Sequence, residues 1–189
     1  LFAISMLAAT ASKIASTKPD QAATLINEIS QSANRAQSEM RALLLQLRPL
    51  TLQNESLSQA LTSLALELEG KQTIKCLLNL DELSIPKNME NQLFRIAQEA
   101  LSNVLRHAEA TQVSISLKIS KSRNRVLLII EDDGKGFDPE NVSHSSIGMR
   151  SMKERATLLG GTAQWLTVPH QGTKVEIRIP ISSESDAKE

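Results

Sequence analysis

Hydrophobic residues recur every three or four positions along the first quarter of the chain, which is the spacing of amphipathic helices. This spacing predicts one helix over residues 1–16 and a second over residues 20–48, with a turn at Pro19 between them. Along the second helix the steps alternate between four and three, as in the heptads of coiled coils. The positions of this seam are Ala22, Ile26, Ile29, Ala33, Ala36, Met40, Leu43 and Leu47.

The seam is narrow and the second helix is long, about 44 Å at roughly 1.5 Å per residue. One small domain covers such a rod poorly, whereas two antiparallel helices from each of two chains bury the seam in a four-helix bundle. We therefore expect residues 1–48 to form a helical hairpin that makes a homodimer. A long helix that lies on its own domain is the alternative.

Beyond residue 50 the pattern changes to short helices that alternate with strands. Residues 132–147 are mostly polar and predict a mobile loop. The predicted helices cover residues 55–69, 87–107 and 148–159, and the predicted strands cover residues 73–80, 111–119, 125–131, 162–168 and 173–179.

These elements predict an α+β fold class, a two-layer α/β sandwich in which helices cover one face of a largely antiparallel sheet. The long helical hairpin precedes it and forms the dimeric four-helix bundle. We expect three parts: dimerisation helices over residues 1–50, a folded domain over residues 51–181 and a flexible tail over residues 182–189.

Composition narrows the classes of function. Hydrophobic residues make up 41% and charged residues 22% of the 189, as in an average globular protein. Lys+Arg and Asp+Glu both number 21, so the chain has no net charge and a generally basic nucleic-acid binder is not expected, although a local basic patch stays open. Aromatic residues are only 2%, too few for a surface that stacks on bases. Cys76 is the only cysteine, so it makes neither an intrachain disulfide nor a zinc cluster. A single cysteine without a disulfide partner fits a reducing compartment.

Four polar side chains lie near one edge of the predicted helix over residues 87–107. Glu99 and Asn103 are four residues apart, and Arg106 and His107 follow three and four residues later, so all fall near one face. A carboxylate, an amide oxygen and basic groups suit a phosphate site with Mg²⁺, which takes hard oxygen ligands and keeps several waters. A merely solvated polar face is the alternative.

Three further segments could contact a ligand. Asp132 ends an apolar strand, and Gly134 and Gly136 after it let the backbone approach a ligand closely, although an ordinary turn is the alternative. Gly148 opens a helix whose free N–H groups can receive phosphate, unless it is a plain helix start. Thr173 begins the last strand, after what could be a simple hairpin turn.

Taken together and in this order, these segments resemble the ATP-binding domain of sensor histidine kinases, which belongs to a superfamily shared with DNA gyrase, a heat-shock chaperone and mismatch-repair ATPases. The joint order of the motifs is specific, whereas any one of them alone is not. The motifs are Gln98–Ala108, which reads Gln-Glu-Ala-Leu-Ser-Asn-Val-Leu-Arg-His-Ala; Asp132 with Gly134 and Gly136; Gly148–Arg155, which reads Gly-Met-Arg-Ser-Met-Lys-Glu-Arg; and Leu159–Gly161 followed by Gly172–Val175.

The resemblance implies ATP and Mg²⁺ as cofactors and a role for each matching residue. Asn103 would hold Mg²⁺ bridged to phosphates, and Glu99 would act as a general base toward the attacking imidazole. Asp132 would accept a hydrogen bond from the adenine amine, with Thr173 near it through water. The remaining positions implied to contact the nucleotide are Arg106, His107, Gly134, Gly136, Phe137, Ile147, Gly148 and Met149.

The hairpin resembles the dimerisation helices of one subfamily. Residues 43–49, Leu-Leu-Leu-Gln-Leu-Arg-Pro, are similar to those of sensors related to the nitrate and cell-wall-stress kinases. In that subfamily the phosphoaccepting His lies just before a segment like residues 1–6. None of His107, His144 and His170 is on the hairpin, so we expect the acceptor to be absent from this chain.

The resemblance implies the cytoplasmic catalytic portion of a membrane-anchored bacterial sensor histidine kinase. Such a kinase transfers the γ-phosphoryl group of ATP to a His for relay to the receiver domain of a response regulator. Two alternatives stay open. An anti-sigma-factor kinase has the same ATP fold and a Ser target, although the long heptad segment argues against it. A non-enzymatic, dimeric nucleotide-binding module that engages a regulator would need no acceptor.

Overall fold

The predicted hairpin is present in the computed structural model, which describes residues 2–47, 55–71, 74–120, 124–138 and 147–181. Helices α1 (Phe2–Ile14) and α2 (Pro19–Leu47) pack along each other. Pro19 suits the first position of α2, because that position has no intrahelical partner for an N–H group.

The hairpin leaves much of its apolar seam uncovered within the single chain. The seam residues Ile26, Met40 and Leu43 are 57%, 62% and 52% exposed, and Met6 of α1 is 59% exposed. In contrast, Ala42 near the end of α2 is fully buried, because the last turns of α2 pack on the domain that follows. The exposed seam is the surface that the predicted four-helix bundle would bury, and the bundle itself stays a prediction.

The rest of the described chain forms a five-stranded sheet with helices packed against it. The strand order is β1-β2-β3-β5-β4, with β1 parallel to β2 and every other pair antiparallel. The elements in chain order are α3 (Leu57–Lys71), β1 (Lys75–Leu80), α4 (Lys87–Asn103), β2 (Gln112–Ser120), β3 (Arg125–Asp132), α5 (Ile147–Leu158), β4 (Thr162–Thr167) and β5 (Thr173–Pro180).

The core lies between the helices and one face of the sheet. Alternation along β2 and β3 turns every second side chain inward, and the antiparallel register pairs Ile115 with Ile130 and Leu117 with Leu128. Helix α4 covers this face with its apolar side. The buried residues of α4 include Leu93, Phe94, Ile96, Ala97, Ala100 and Leu101. The predicted α+β sandwich, with helices on one face of a largely antiparallel sheet, is therefore confirmed.

The helix predicted to run to residue 107 changes its winding near its end. Regular α-helix stops at Asn103, and the segment Val104–Ala108 is a π turn followed by Glu109 in the left-handed region, at φ 54°. A π turn fits one extra residue into the helix. Val104 and Ala108 are buried, whereas Arg106 is partly buried and His107 is exposed on the outer side of the turn.

The other predicted helices and strands lie within two residues of their predicted bounds. The end of the hairpin at Pro49, residues 139–146 of the predicted loop and the tail over residues 182–189 lie outside the described residues. Among the helices that the structure describes, none combines the length and the apolar character needed to cross a membrane.

The side chain of Asp133, just after β3, forms hydrogen bonds to the start of β2. These bonds predict an effect on stability. The Asp133 carboxylate accepts hydrogen bonds from the backbone N–H groups of Thr111 and Gln112, both at 2.8 Å, and from the Thr111 hydroxyl at 2.6 Å. We expect Asp133→Ala to lower the free energy of unfolding by about 1 kcal/mol, the usual net worth of such bonds. Urea titration measures the change. Glu82→Ala, on an exposed carboxylate after β1, is the control, and equal stability of both variants would contradict the assignment.

Candidate functional site

A cavity of about 550 Å³ lies between α4, the π turn, the start of α5 and the ends of β3 and β5. Its volume is in the range of small-molecule sites. Of the residues predicted to form a site, all except Gly134 line it. These are Glu99, Asn103, Arg106, His107, Asp132, Gly136, Phe137, Ile147, Gly148, Met149 and Thr173.

Helix α4 and the π turn supply the polar wall of the cavity. Glu99 and Asn103 are only partly buried, one turn apart on the edge of α4 that does not enter the core. Arg106 and His107 follow on the outer side of the π turn. The same helix therefore buries one face and presents a carboxylate, an amide and two basic groups to the cavity.

The His107 imidazole is held largely neutral at pH 7. Partial desolvation of its ring is the main cause that lowers its pKa from the ordinary 6.5, although the residue lies at the exposed surface. The positive charges of Arg106, Lys135 and Arg35 lower the pKa further, and Glu39 opposes them in part. A ring N–H of His107 is available to donate to a phosphate oxygen.

Asp132 lies buried at the end of β3, opposite Thr173 in the register of β5. Burial is the main cause that raises the pKa of its carboxyl group, and the charges of Asp133 and Glu131 add to the effect. The backbone N–H of Gly134 donates to Asp132 Oδ1 at 2.9 Å and opposes the shift. The result is a buried hydrogen-bond acceptor at the wall of the cavity.

Gly134 lies behind the wall of the cavity instead of on its surface. A Cβ at this position would overlap the carbonyl oxygen of Ala108, the last residue of the π turn. The same oxygen accepts a hydrogen bond from the backbone N–H of Lys135 at 2.7 Å. Gly134 thus permits the loop after β3 to pack on the π turn, which brings Asp132 and Asn103 to one cavity.

The start of α5 closes the cavity on the side of Glu99. A Cβ on Gly148 would overlap Glu99 Oε1 and would lie 3.4 Å from Asn103 Nδ2. The absence of a side chain therefore lets the N-terminus of α5 lie directly against these two residues. Ile147 beside it is 87% exposed, and Met149 is partly buried at the cavity wall.

Thr167 connects the loop after β3 to the last strand. Its hydroxyl accepts a hydrogen bond from the Phe137 N–H at 3.0 Å and lies 3.2 Å from the Thr173 hydroxyl. Gly136 precedes this contact with a positive φ of 56° and with the Val168 carbonyl where a side chain would be. These bonds, together with the register of β3 and β5, hold Thr173 next to Asp132 at the cavity.

Family comparison agrees with this arrangement. Residues 88–183 match the family described as histidine kinase-, DNA gyrase B-, and HSP90-like ATPase, and residues 1–52 match a family described as histidine kinase. The chain belongs to this ATPase family, in its histidine kinase branch. The resemblance inferred from the motifs is confirmed, and ATP is the nucleotide that the family implies.

Two curated relatives extend over nearly the whole chain. The sensor histidine kinase LiaS of Bacillus subtilis is 43% identical over 97% of this chain and 51% of its own length. The sensor protein VraS of Staphylococcus aureus strain COL is 37% identical over 97% of this chain and 52% of its own length. The chain thus spans about half the length of these relatives.

Solved structures of low identity share the fold. The histidine kinase domain from the Erythrobacter litoralis EL346 blue-light activated histidine kinase is 18% identical, covers 96% of this chain and 95% of its own, and gives a TM-score of 0.60. The ATP binding domain of PrrB from Mycobacterium tuberculosis is 23% identical over 68% of this chain and 96% of its own, with a TM-score of 0.53.

The residues present fit a magnesium ion that accompanies the nucleotide of such an ATPase. Among the described residues the Asn103 carboxamide has no hydrogen-bond partner, so its oxygen is free to coordinate, and no cluster of three or more His, Cys, Asp and Glu side chains could hold a metal alone. Mg²⁺ accepts few protein ligands when phosphate oxygens and waters complete its shell. A single protein ligand, the Asn103 carboxamide oxygen, suits a metal ion that binds together with the nucleotide.

Sequence reasoning did not identify several residues of the cavity. Trp165 of β4 contributes its indole to the wall, and Lys135 lies at the rim with its ammonium 2.9 Å from the Glu109 carboxylate. The inward position of Trp165 in an alternating strand was a usable signal, as was the basic residue between two glycines. The other unpredicted lining residues are Ala100, Val104, Ala108, Ile130 and Val175.

The raised pKa of Asp132 predicts a specific dependence of stability on pH. The folded state favours the protonated form of the Asp132 carboxyl. The stability that this preference contributes is complete below the ordinary pKa of 3.8 and is lost as the pH rises through the raised pKa of the folded state. At pH 7 the folded protein therefore holds an unfavourable charge. We expect Asp132→Asn to raise the free energy of unfolding at pH 7, with a gain that shrinks as the pH approaches 4 in urea titrations. A less stable variant at pH 7 would contradict this account.

Proposed function

We propose that the chain is the catalytic part of a sensor histidine kinase, which binds Mg-ATP in the cavity and transfers the γ-phosphoryl group to a histidine. One observation carries the proposal: Glu99 and Asn103 of the first motif, Asp132 of the second and Gly148 of the third all line one cavity. A carboxylate beside an amide ligand, a buried carboxyl acceptor and a helix N-terminus are the groups that phosphoryl transfer from a purine nucleotide needs.

The buried end of the cavity would bind the base. Asp132 can accept a hydrogen bond from the exocyclic amine of adenine, and the hydroxyl of Thr173 lies beside it. Trp165, Ile130 and Val175 give this end an apolar wall that suits a purine ring. Adenine is favoured over guanine here, because guanine presents a carbonyl oxygen where adenine presents the amine.

The open end would hold the phosphates and the reacting groups. Arg106 and His107 would donate to phosphate oxygens, and the Asn103 oxygen would coordinate Mg²⁺, which when bound neutralises phosphate charge. An imidazole nitrogen of the acceptor attacks the γ-phosphorus, the bond to the bridging oxygen breaks and ADP leaves. Glu99 accepts the proton that the imidazole loses.

The wider assembly belongs to the same proposal. Residues 1–50 would form the dimerisation helices, and residues 51–181 the catalytic domain, in agreement with the exposed seam of α2. The phosphoryl group would pass from the histidine to an aspartate of a response regulator's receiver domain. The whole protein would carry a membrane anchor, with the catalytic part on the cytoplasmic side.

Calorimetric binding and a transfer assay test the site. We expect Asn103→Ala and Asp132→Ala each to weaken Mg-ATP binding about tenfold or more, which corresponds to at least about 1.4 kcal/mol. The exposed Asn88→Ala and Glu82→Ala, both away from the cavity, should leave the affinity unchanged. Wild-type chain and labelled ATP should also phosphorylate the intact histidine of a full-length relative whose own catalytic asparagine has been replaced.

The outcomes separate the possible functions. Unchanged affinity in both site variants would overturn the site. Nucleotide binding without any transfer would support the non-enzymatic binding module, and labelling of a serine in a partner would support the anti-sigma-type kinase. Transfer to the histidine that is lost in Asn103→Ala is the result that the proposed kinase requires.

The exposed seam of the hairpin predicts a homodimer. Light scattering should give twice the chain mass of 20.7 kDa. Replacement of Ile26 and Met40 by Glu would place charge in the four-helix core and should yield monomers, whereas Gln31→Glu on an exposed position should leave the dimer intact. A monomeric wild-type chain at high concentration would contradict the bundle.

A further inference from the structure

The last turn of α2 reaches the edge of the nucleotide cavity. Ala42 is fully buried there, and the carboxamide of Gln46, one turn later, lies between two cavity residues. Gln46 Nε2 donates to Glu99 Oε2 at 2.7 Å, and Arg106 Nη2 donates to Gln46 Oε1 at 3.1 Å. One side chain of the hairpin thus joins two groups that the proposed function places in the reaction.

Glutamine is suited to this bridge. Its carboxamide offers a donor and an acceptor while it stays uncharged, so it can bind a carboxylate and a guanidinium at once. Each bond has one charged partner and is therefore stronger than a bond between two neutral groups. A longer bond from Arg95 Nη1 to the main-chain oxygen of Gln46, at 3.4 Å, adds to the contact.

The bridge engages groups that must act elsewhere during transfer. The Arg106 N–H that points at Gln46 is not available to a phosphate oxygen. Glu99 is held on one side by Gln46 and is packed on the other side against Gly148, so neither carboxylate oxygen is open on all sides to an incoming imidazole. Reaction at this site would therefore require the bridge to loosen.

We propose that Gln46 is a positioning residue that holds Glu99 and Arg106 in a resting arrangement, and that withdrawal of the hairpin from α4 releases both groups together. The inference rests on the proposed function, because it concerns the availability of that same site. By linkage, nucleotide that recruits Arg106 weakens the hairpin contact, and loss of the contact strengthens nucleotide binding by the same factor.

Two variants of Gln46 test the proposal. If Gln46 restrains Glu99 and Arg106, its replacement should increase nucleotide affinity, which the loss of a merely structural contact would not do. Gln46→Ala and the similarly sized Gln46→Leu should tighten Mg-ATP binding about fivefold, the factor that about 1 kcal/mol of one such hydrogen bond gives. They should also raise the rate of transfer to a supplied acceptor histidine. Gln37→Ala, an exposed glutamine of the same helix, should match the wild type in both measurements.

Hydrogen exchange at the end of α2 provides a readout that needs no nucleotide. Backbone amides of residues 42–47 should exchange faster in both Gln46 variants, and in the wild type they should exchange faster when Mg-ATP is added. Weaker or unchanged nucleotide affinity in the variants, or unchanged exchange in nucleotide-free protein, would overturn the proposal. If the wild type bound no nucleotide, the proposed function would fail, while exchange would still decide whether Gln46 holds the hairpin.

Discussion

Helix α4 packs one face against the sheet and presents its opposite edge to the cavity, and the geometry of the site depends on this orientation of the helix. Leu93, Phe94 and Leu101 fix the helix on the sheet with almost no exposed surface. Because these residues set the rotation of the helix, Glu99 and Asn103 can only face the cavity. A small rotation of α4 would carry the carboxylate and the amide away from Asp132 and would separate the two halves of the nucleotide site.

Close backbone contacts bring the second half of the site to this helix. The loop after β3 reaches the π turn only because Gly134 has no side chain to meet Ala108, and α5 begins directly on Glu99 only because residue 148 is also glycine. The glycines of the motifs therefore act mainly through packing between elements. Gly134 shows this most clearly, since it is essential to the approach and yet does not line the cavity.

The sequence was sufficient to predict most helices and strands, and all predicted site residues except Gly134 line the cavity. The spacing of hydrophobic residues indicates which positions are buried, and the order of the motifs indicates the family. The sequence did not predict the π turn. Burial of both Val104 and Ala108, four positions apart, is equally compatible with a regular helix. Nor did it predict the position of Gly134 behind the wall, because a glycine that permits backbone contact has the same sequence pattern as one that meets a ligand.

Contacts over long sequence separations were beyond the reach of the pattern. Gln46 belongs to the hairpin and Glu99 to α4, 53 positions later, and nothing in the local sequence of either indicates the other. The alternation of β4 does indicate that Trp165 points inward, but its place at the cavity follows only from the pairing of β4 with β5. Such contacts depend on how the helices and the sheet pack on one another, and the local spacing of hydrophobic residues does not predict that packing.

The most direct test of the central claim is a crystal structure of this chain with Mg²⁺ and a non-hydrolysable ATP analogue. We expect the purine beside Asp132 and Thr173, and the triphosphate extended toward Asn103 with the metal between them. An analogue bound elsewhere, or a triphosphate that turns away from Asn103, would contradict this expectation.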